Sequence, residues 1–425
     1  MSGSESLQNV ATLFFGGPDD REALEFSKRL GMYHHENLTI IRFLPTSARR
    51  ELIGVNFANQ EKDVLMAIPH QENDADAVVL TDFYNSAEVP AIFIFGDSTA
   101  DVGTNNYLKG CKATANNRYY GIDYPCSKPT GRFSNGFNTI DYVVRQLGDL
   151  EESPPPYLYL LHNMSYFKSN ILRGVNFASG GAGILNRTGS RAFKNVVSLE
   201  KQIEQFGTVK RNISELLGEA NTETLLANSM YIITVGSNDL FDYFHYDLKN
   251  YSAVSLLANL TITYTNHLQK LYSLGARKFG IVSIPPVGCV PAVRVYTGGV
   301  CLEQLNELAQ LFYIYTSELL RNFTSSSRGV KYSLGNAYRM TINIIDNPLS
   351  HGFKNARDAC CGVGAFNGED KCTPKSKLCH KRKHFFFWDW FHPTQYVSYL
   401  VANALVRGES KEIVTPINFR QLASL

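Results

Sequence analysis

The chain has 425 residues, 44% hydrophobic and 19% charged, with a formal net charge of +2. This globular composition excludes a disordered or collagen-like chain. No apolar run reaches the ~20 residues that span a bilayer, and no basic patch interleaved with aromatics suggests nucleic acid. The total charge hides a split. Residues 1–88 carry 7 basic and 14 acidic side chains, and the remainder carries 34 and 25. All eight cysteines lie between Cys111 and Cys379, in the same part as six N-x-S/T sequons at Asn163, Asn186, Asn212, Asn250, Asn259 and Asn322. An even cysteine count suggests up to four disulfides, and with the sequons it reads as a secreted domain. The opening residues 1–17 have no basic region and too short an apolar run for a secretory leader. The two parts thus give opposing expectations of compartment.

In chain order, Asn9–Phe15 (NVATLFF) reads as a buried strand. Gly16-Gly17-Pro18 is a turn, and Asp19-Asp20 can cap a helix over Arg21–Leu30. Leu38–Phe43 (LTIIRF) reads as a second strand, parallel to the first and reached by a right-handed crossover. From Pro45 to Ala87 the pattern weakens. The strings VATLFFGGPDDREALEFSKRL and NLTIIRF resemble the cytosolic C-terminal region of plant cation/proton antiporters. The resemblance implies a small α/β fragment over residues 1–86. With no membrane half it implies no ion transport, and the fragment reads as an appendage.

The second part, residues 87–425, opens at Val89-Pro90. Ala91–Phe95 (AIFIF) is a buried strand running into Gly96-Asp97-Ser98, an edge that exposes a side chain where parallel sheets place their sites. Further strands are expected at Ser229–Val235 and Lys278–Ser283, and helices at Leu199–Phe206, Ser255–Leu274 and Leu302–Phe323. Strands alternating with such helices imply a parallel sheet covered on both faces.

Cleaving an ester needs a nucleophile, a base, a group that orients the base, and donors for the oxyanion. Ser98 is a candidate nucleophile, although a serine after a turn is commonly only a turn residue. Asp97 beside it reads as structural. GVNFASGGAGIL, Gly174 to Leu185, holds consecutive glycines whose N–H groups can approach a ligand. In VGSNDLF, Asn238 can offer a side-chain N–H and Asp239 can brace the loop. In FFFWDWFHPTQ, Asp389 and His392 stand three apart. On a helical turn that spacing shares one face, and an Asp held by one imidazole nitrogen leaves the other to accept the serine proton. Asp242 and His245 have the same spacing. The flanks favour the later pair, since Phe387, Trp388 and Trp390 can shield it from water and Pro393 ends the segment.

These four blocks, in this order, resemble the plant GDSL esterase/lipase family, a branch of the SGNH hydrolases, over about residues 89–407. PTGRFSNGFNTIDY (Pro129–Tyr142), GARKFGIVSIPPVGCVP (Gly275–Pro291) and ACCGVGAFNG (Ala359–Gly368) belong to the same match. The resemblance implies a flavodoxin-like three-layer α/β/α sandwich with a central parallel sheet. It implies an acyl-enzyme route with Ser98, Asp389 and His392 as catalytic residues. The Ser98 N–H, Gly180 and Asn238 would form the oxyanion hole, with Gly181 the nearby alternative to Gly180. It implies no metal, no cofactor, and a small-molecule or lipid ester as substrate. Thr99-Ala100 departs from the bulkier apolar residue usual after the nucleophile.

Cys360, Cys361, Cys372 and Cys379 lack the C-x-x-C pairs of structural zinc, so disulfides fit better. The basic stretch Lys371–His384 reads as a solvated loop. An antiporter-like stretch stands where the family's signal peptide is expected, and a fusion or mis-joined reading frame near Tyr84–Glu88 accounts for it. Two other readings remain open: an acyltransferase of the same fold, and a non-catalytic binding or regulatory fusion protein.

Overall fold

The computed structural model describes the backbone of residues 9–14 and 37–42, and residues 89–425 except Asp149, Asn163, Asn250 and Tyr251. The chain divides into two compact units, Met1–Asn85 and Ser86–Leu425. In the first unit, β1 (Asn9–Phe14) and β2 (Asn37–Arg42) pair in parallel, Asn9 opposite Asn37. The helix expected at Arg21–Leu30, the stretch from Pro45 to Ala87, the junction at Tyr84–Glu88 and the sequons at Asn163 and Asn250 lie outside the described residues.

The second unit is built on a six-stranded sheet. Its strands are β3 (Ile92–Gly96), β4 (Gly174–Asn176), β5 (Met230–Thr234), β6 (Lys278–Val282), β7 (Lys331–Gly335) and an edge strand at Val414–Thr415. From that edge inward the spatial order is Val414–Thr415, β7, β6, β5, β3, β4. All neighbours are parallel except the edge strand, which runs antiparallel to β7. Strands β3, β5 and β6 are buried throughout, as expected for parallel strands covered on both faces.

The two faces follow from the period of two along each strand. Phe93 and Phe95 of β3 point to one side and meet Phe206 of helix α2 (Leu199–Leu217) at 5.0 and 5.9 Å between ring centroids. Tyr231 and Phe279 continue this layer onto Phe323 of α5 (Glu303–Ser326). On the other side Gly280 makes room for Phe419, whose ring a Cβ there would approach to 3.1 Å. Helices α1 (Thr139–Leu147) and α6 (Gln395–Arg407) pack together. The result is the three-layer α/β/α sandwich.

Helix starts are locally encoded. Asn138 and Asp141 form a capping box at α1. Asp141 also receives Arg132 Nε and Nη2 at 2.8 and 2.7 Å, and this buried pair ties the PTGRFSNGFNTIDY loop to the helix. Ser198 caps α2, and Ser252 caps α4 (Ala253–Ser273). Three disulfides join Cys289 to Cys301, Cys360 to Cys379 and Cys361 to Cys372, while Cys111 and Cys126 are free. The four cysteines weighed for zinc are therefore spent in two crosslinks.

Candidate active site

Strand β3 ends at Gly96, where the chain turns with φ 148° and a Cβ would sit 2.1 Å from the Thr234 carbonyl oxygen. Only glycine fits this close approach. Gln202 of α2 clamps the turn: Gly96 N donates to Gln202 Oε1, and Gln202 Nε2 donates to Gly96 O, both at 2.8 Å. Asp97 points inward and accepts from Thr99 N and Thr99 Oγ1, at 2.9 and 2.8 Å. Burial raises its pKa despite these donors. The turn thus presents Ser98.

Ser98 Oγ lies 2.8 Å from His392 Nε2. His392 Nδ1 lies 2.8 and 3.0 Å from the two Asp389 oxygens. A carboxylate accepts only, so Nδ1 carries the ring proton and donates, which leaves Nε2 to accept from the Ser98 hydroxyl. Asp389 is fully buried and takes three further bonds, from Phe391 N at 3.0 Å, His392 N at 2.8 Å and the Tyr120 hydroxyl at 2.7 Å. Burial alone would raise the Asp389 pKa, but the adjacent His392 and these donors outweigh it and hold the group below the usual carboxylate range. Tyr120 is itself pushed well up, by burial and by the Asp389 charge.

The local geometry differs from the helical turn expected for Asp389 and His392. The segment is irregular, between a short strand at Phe385–Phe387 and α6. Asp389 Oδ1 closes the loop by accepting two backbone N–H groups, as Asp does in turns. Trp388 N donates to His392 O at 2.7 Å, and Cys361 N donates to Trp388 O at 2.7 Å. Both disulfides of the Cys360–Cys379 segment thus brace the strand and loop that lead into Asp389. Trp388 is buried against Tyr120, and Phe133 covers the His392 ring at 4.9 Å.

The glycine loop requires a correction. Gly180 N–H donates to Asp101 Oδ2 at 2.8 Å, and Gly180 O accepts from Asn105 Nδ2 at 2.8 Å. A backbone N–H has one proton, and here it is taken by a buried carboxylate. Gly181, in contrast, lines the cavity with Ser98, at φ 85°. Among the described residues neither Gly181 N nor Ser98 N has an acceptor. Asn238 lies in the first turn of α3 (Ser237–Asp242), where its Nδ2 donates to Ala182 O at 2.9 Å. That contact fixes which end of the amide is nitrogen, and one N–H remains.

Asp239 braces the loop as expected: its carboxylate accepts from Ile184 N, Leu185 N and Thr188 Oγ1 at 2.8, 3.1 and 2.6 Å. Burial pushes Asp101 and Asp239 up to about 6. In the alternative pair, Asp242 accepts instead from Gly189 N at 3.0 Å. His245 sits in a π-type turn just past α3 and packs against Phe244 and Tyr296.

Ser98, Gly181, Asn238 and His392 all border one cavity of about 710 Å³, a size suited to an organic ligand. Sequence reasoning missed Tyr120 and Asp101. Asp101 stands in the run after Ser98, but nothing local marks its partner; Tyr120 is 269 positions from Asp389. Among the described residues, no group of three or more metal-ligating side chains is gathered to hold an ion.

The comparisons with known proteins agree with this architecture. Residues 7–90 match the plant cation/H+ antiporter C-terminal domain. A GDSL esterase/lipase of Arabidopsis thaliana is 36% identical over 348 residues, covering 80% of this chain and 92% of its own length. Another from the same plant is 38% identical over 318 residues, covering 74% and 87%. A solved acetylxylan esterase variant from Geobacillus stearothermophilus aligns at 10% identity over 75% of this chain and 93% of its own, with a TM-score of 0.32, too slight to carry an argument. The GDSL-like lipase/acylhydrolase family matches residues 92–405, and through that domain the chain belongs to this family.

Proposed function

We propose that residues 87–425 form a serine hydrolase of carboxylic esters working through an acyl-enzyme, with residues 1–86 a separate appended domain. The observation that carries the reading is the hydrogen-bonded chain Ser98–His392–Asp389, whose serine and histidine border a large cavity. His392 Nε2 takes the Ser98 proton as Oγ attacks the ester carbonyl. Asp389 holds the imidazole in the tautomer this requires and stabilises the imidazolium. The oxyanion is held by Ser98 N–H, Gly181 N–H and the second Asn238 Nδ2 hydrogen. Gly181 takes the role first assigned to Gly180, because it has a proton to give. His392 then protonates the leaving alcohol, and activates water for deacylation.

Three disulfides are stable in an oxidising compartment, and the sequon residues Asn186, Asn259 and Asn322 are exposed. Both support secretion and glycosylation of this domain. The test is hydrolysis of p-nitrophenyl acetate and butyrate by the full chain and its Ser98→Ala variant. The variant is expected to lose at least a thousandfold in kcat. Equal activity in both proteins overturns the reading.

A further inference from the structure

A second groove, of about 470 Å³, shares no residue with the cavity that borders Ser98. Its walls are Glu200 of α2 and a run of α4 that includes Asn266, His267, Gln269 and Lys270. Every side chain that borders it carries a hydrogen-bonding group. An apolar ligand gains nothing there, whereas a molecule covered with hydroxyls and amides does. Asn186 also borders this groove, and it opens the sequon Asn186-Arg187-Thr188. Its side-chain amide meets one oxygen of the Glu200 carboxylate. A carboxylate accepts only, so the atom facing Glu200 is Nδ2, the atom that takes the sugar in N-glycosylation. Lys270 Nζ stands 2.5 Å from the other Glu200 oxygen, and Lys270 and Asn186 together hold that carboxyl below its usual range. His267 ties the groove to the glycine loop, since its Nε2 donates to Ile184 O at 3.0 Å. Burial lowers its pKa, which keeps the ring neutral and leaves Nδ1 an acceptor, without a partner among the described residues.

Resting on the reading of this domain as secreted and glycosylated, we infer that Asn186 carries an N-linked glycan whose first sugar, an N-acetylhexosamine, lies in the groove between α2 and α4 beside the glycine loop. Transfer joins Asn186 Nδ2 to the anomeric carbon of a polyprenyl diphosphate-linked oligosaccharide. The C1–N bond forms, the C1–O bond breaks with its electron pair on the departing diphosphate, and Nδ2 gives up one of its two protons. One N–H remains for Glu200. The hydroxyls and acetamido group of the sugar offer donors to Glu200 and His267 and acceptors to Lys270 and the amides of Asn266 and Gln269. Thr188, the sequon hydroxyl that the transferase must read, is buried and donates to Asp239 Oδ1 at 2.6 Å. The sugar is therefore added before the loop closes, and it is enclosed as the loop folds. Asn322, in contrast, stands exposed on α5 and borders neither cavity.

The experiment expresses the full chain behind a secretory leader in a glycosylating host. Peptide mass spectrometry reads the occupancy of each sequon. Treatment of the native protein with a peptide-N-glycosidase in heavy-oxygen water, which marks each freed asparagine as labelled aspartate, reads the release rate at each site. The expected result is a glycan at Asn186 that leaves at least about tenfold more slowly than those on the other occupied sequons, because cleavage waits for local opening. Denaturation should abolish the difference. A second arm combines Asn266→Ala with Gln269→Ala, two exposed helix positions that tolerate alanine. It should bring the Asn186 rate to within about threefold of the others, with a melting transition to verify folding. An unmodified Asn186 beside occupied sequons overturns the inference and leaves the secreted, glycosylated reading standing. Release at the common rate does the same, as does protection that the double variant leaves intact. A secreted protein with no sequon occupied overturns both the inference and the glycosylated reading.

Discussion

Replacing Asn238 by alanine separates a role in chemistry from one in folding. The side chain is partly buried and makes one hydrogen bond, to Ala182 O at 2.9 Å. Losing one neutral bond of this kind costs about 1 kcal/mol of stability. The remaining N–H is the one assigned to the oxyanion. A preorganised oxyanion donor is worth about 10²–10³ in kcat, or roughly 3–4 kcal/mol of transition-state stabilisation. The kinetic loss should therefore exceed the stability loss about threefold in free energy. It should fall on kcat, because the neutral ground-state carbonyl binds the donor only weakly. The assay is kcat and KM on p-nitrophenyl butyrate, paired with the urea midpoint of the same preparation. A folded Asn238→Ala protein with kcat within threefold of wild type would refute the assignment. A fall in kcat that merely tracks lost folded protein would refute it equally.

Other outcomes follow from the same geometry. Tyr120→Phe keeps the ring against Trp388 and Phe133 but removes a donor to the buried Asp389 carboxylate. It should cost about 1.5–3 kcal/mol in thermal stability and lower kcat with KM unchanged, whereas an equal change in both constants would argue against a positioning role. Asp141→Ala leaves the buried Arg132 guanidinium only the longer 3.4 Å contact to the more exposed Glu152 and should destabilise by about 3 kcal/mol in urea titration. Reducing the disulfides that brace the segment leading into Asp389 should lower the melting temperature and activity together; activity unchanged after complete reduction would disprove that bracing. For pH, Asp101 has a folded pKa raised to about 6 from 3.8, so the folded state binds its proton more tightly than the unfolded chain does. Its contribution thus becomes more favourable as pH falls from about 6 toward 4, and wild type should gain on Asp101→Asn by up to about 3 kcal/mol across that window. Asp389 has the opposite sign: its depressed pKa stabilises the fold above about pH 4, and that share is lost on further acidification.

The strands easiest to read were those buried on both faces. AIFIF, SMYIITV and KFGIVS are continuous apolar runs, and they became β3, β5 and β6 with no end shifted by more than one residue. Strand β7, KYSLG, begins with a lysine and a tyrosine near the sheet edge and gives no such run. Strand β4 has three residues, too few for any period. Helix α2 extends to Leu217, well past the Phe206 expected, and its buried face continues through Val209 and Ile213 at helical spacing. The Asp389–His392 pair was readable because both members sit in one loop. Tyr120 was not, since nothing local ties it to a carboxylate 269 positions away. The choice between Gly180 and Gly181 was also beyond the sequence. It depends on which N–H faces Asp101, and two adjacent glycines carry no mark of that.

Asp101 and Asp239 explain why this distinction matters. Each is fully buried and pushed up to about 6, so keeping each ionised at neutral pH works against folding. Both bind the glycine loop: Asp101 Oδ2 holds Gly180 while its Oδ1 accepts from Gly103 N and Thr104 N, and Asp239 holds Ile184, Leu185 and Thr188. Gly181 lies between these anchors. Held from both sides, its N–H has no acceptor among the described residues, while those of Gly180 and Ala182 are satisfied. A more stable loop would be simple to build with apolar residues, since buried charges are commonly replaceable at no loss. Such a loop would be free to turn Gly181 inward and satisfy its N–H. On the proposed assignment of Gly181 to the oxyanion, the carboxylates trade stability for a donor that needs no reorganisation when negative charge develops on the substrate oxygen. On this argument the two buried acids belong to the oxyanion site as much as the groups that line it.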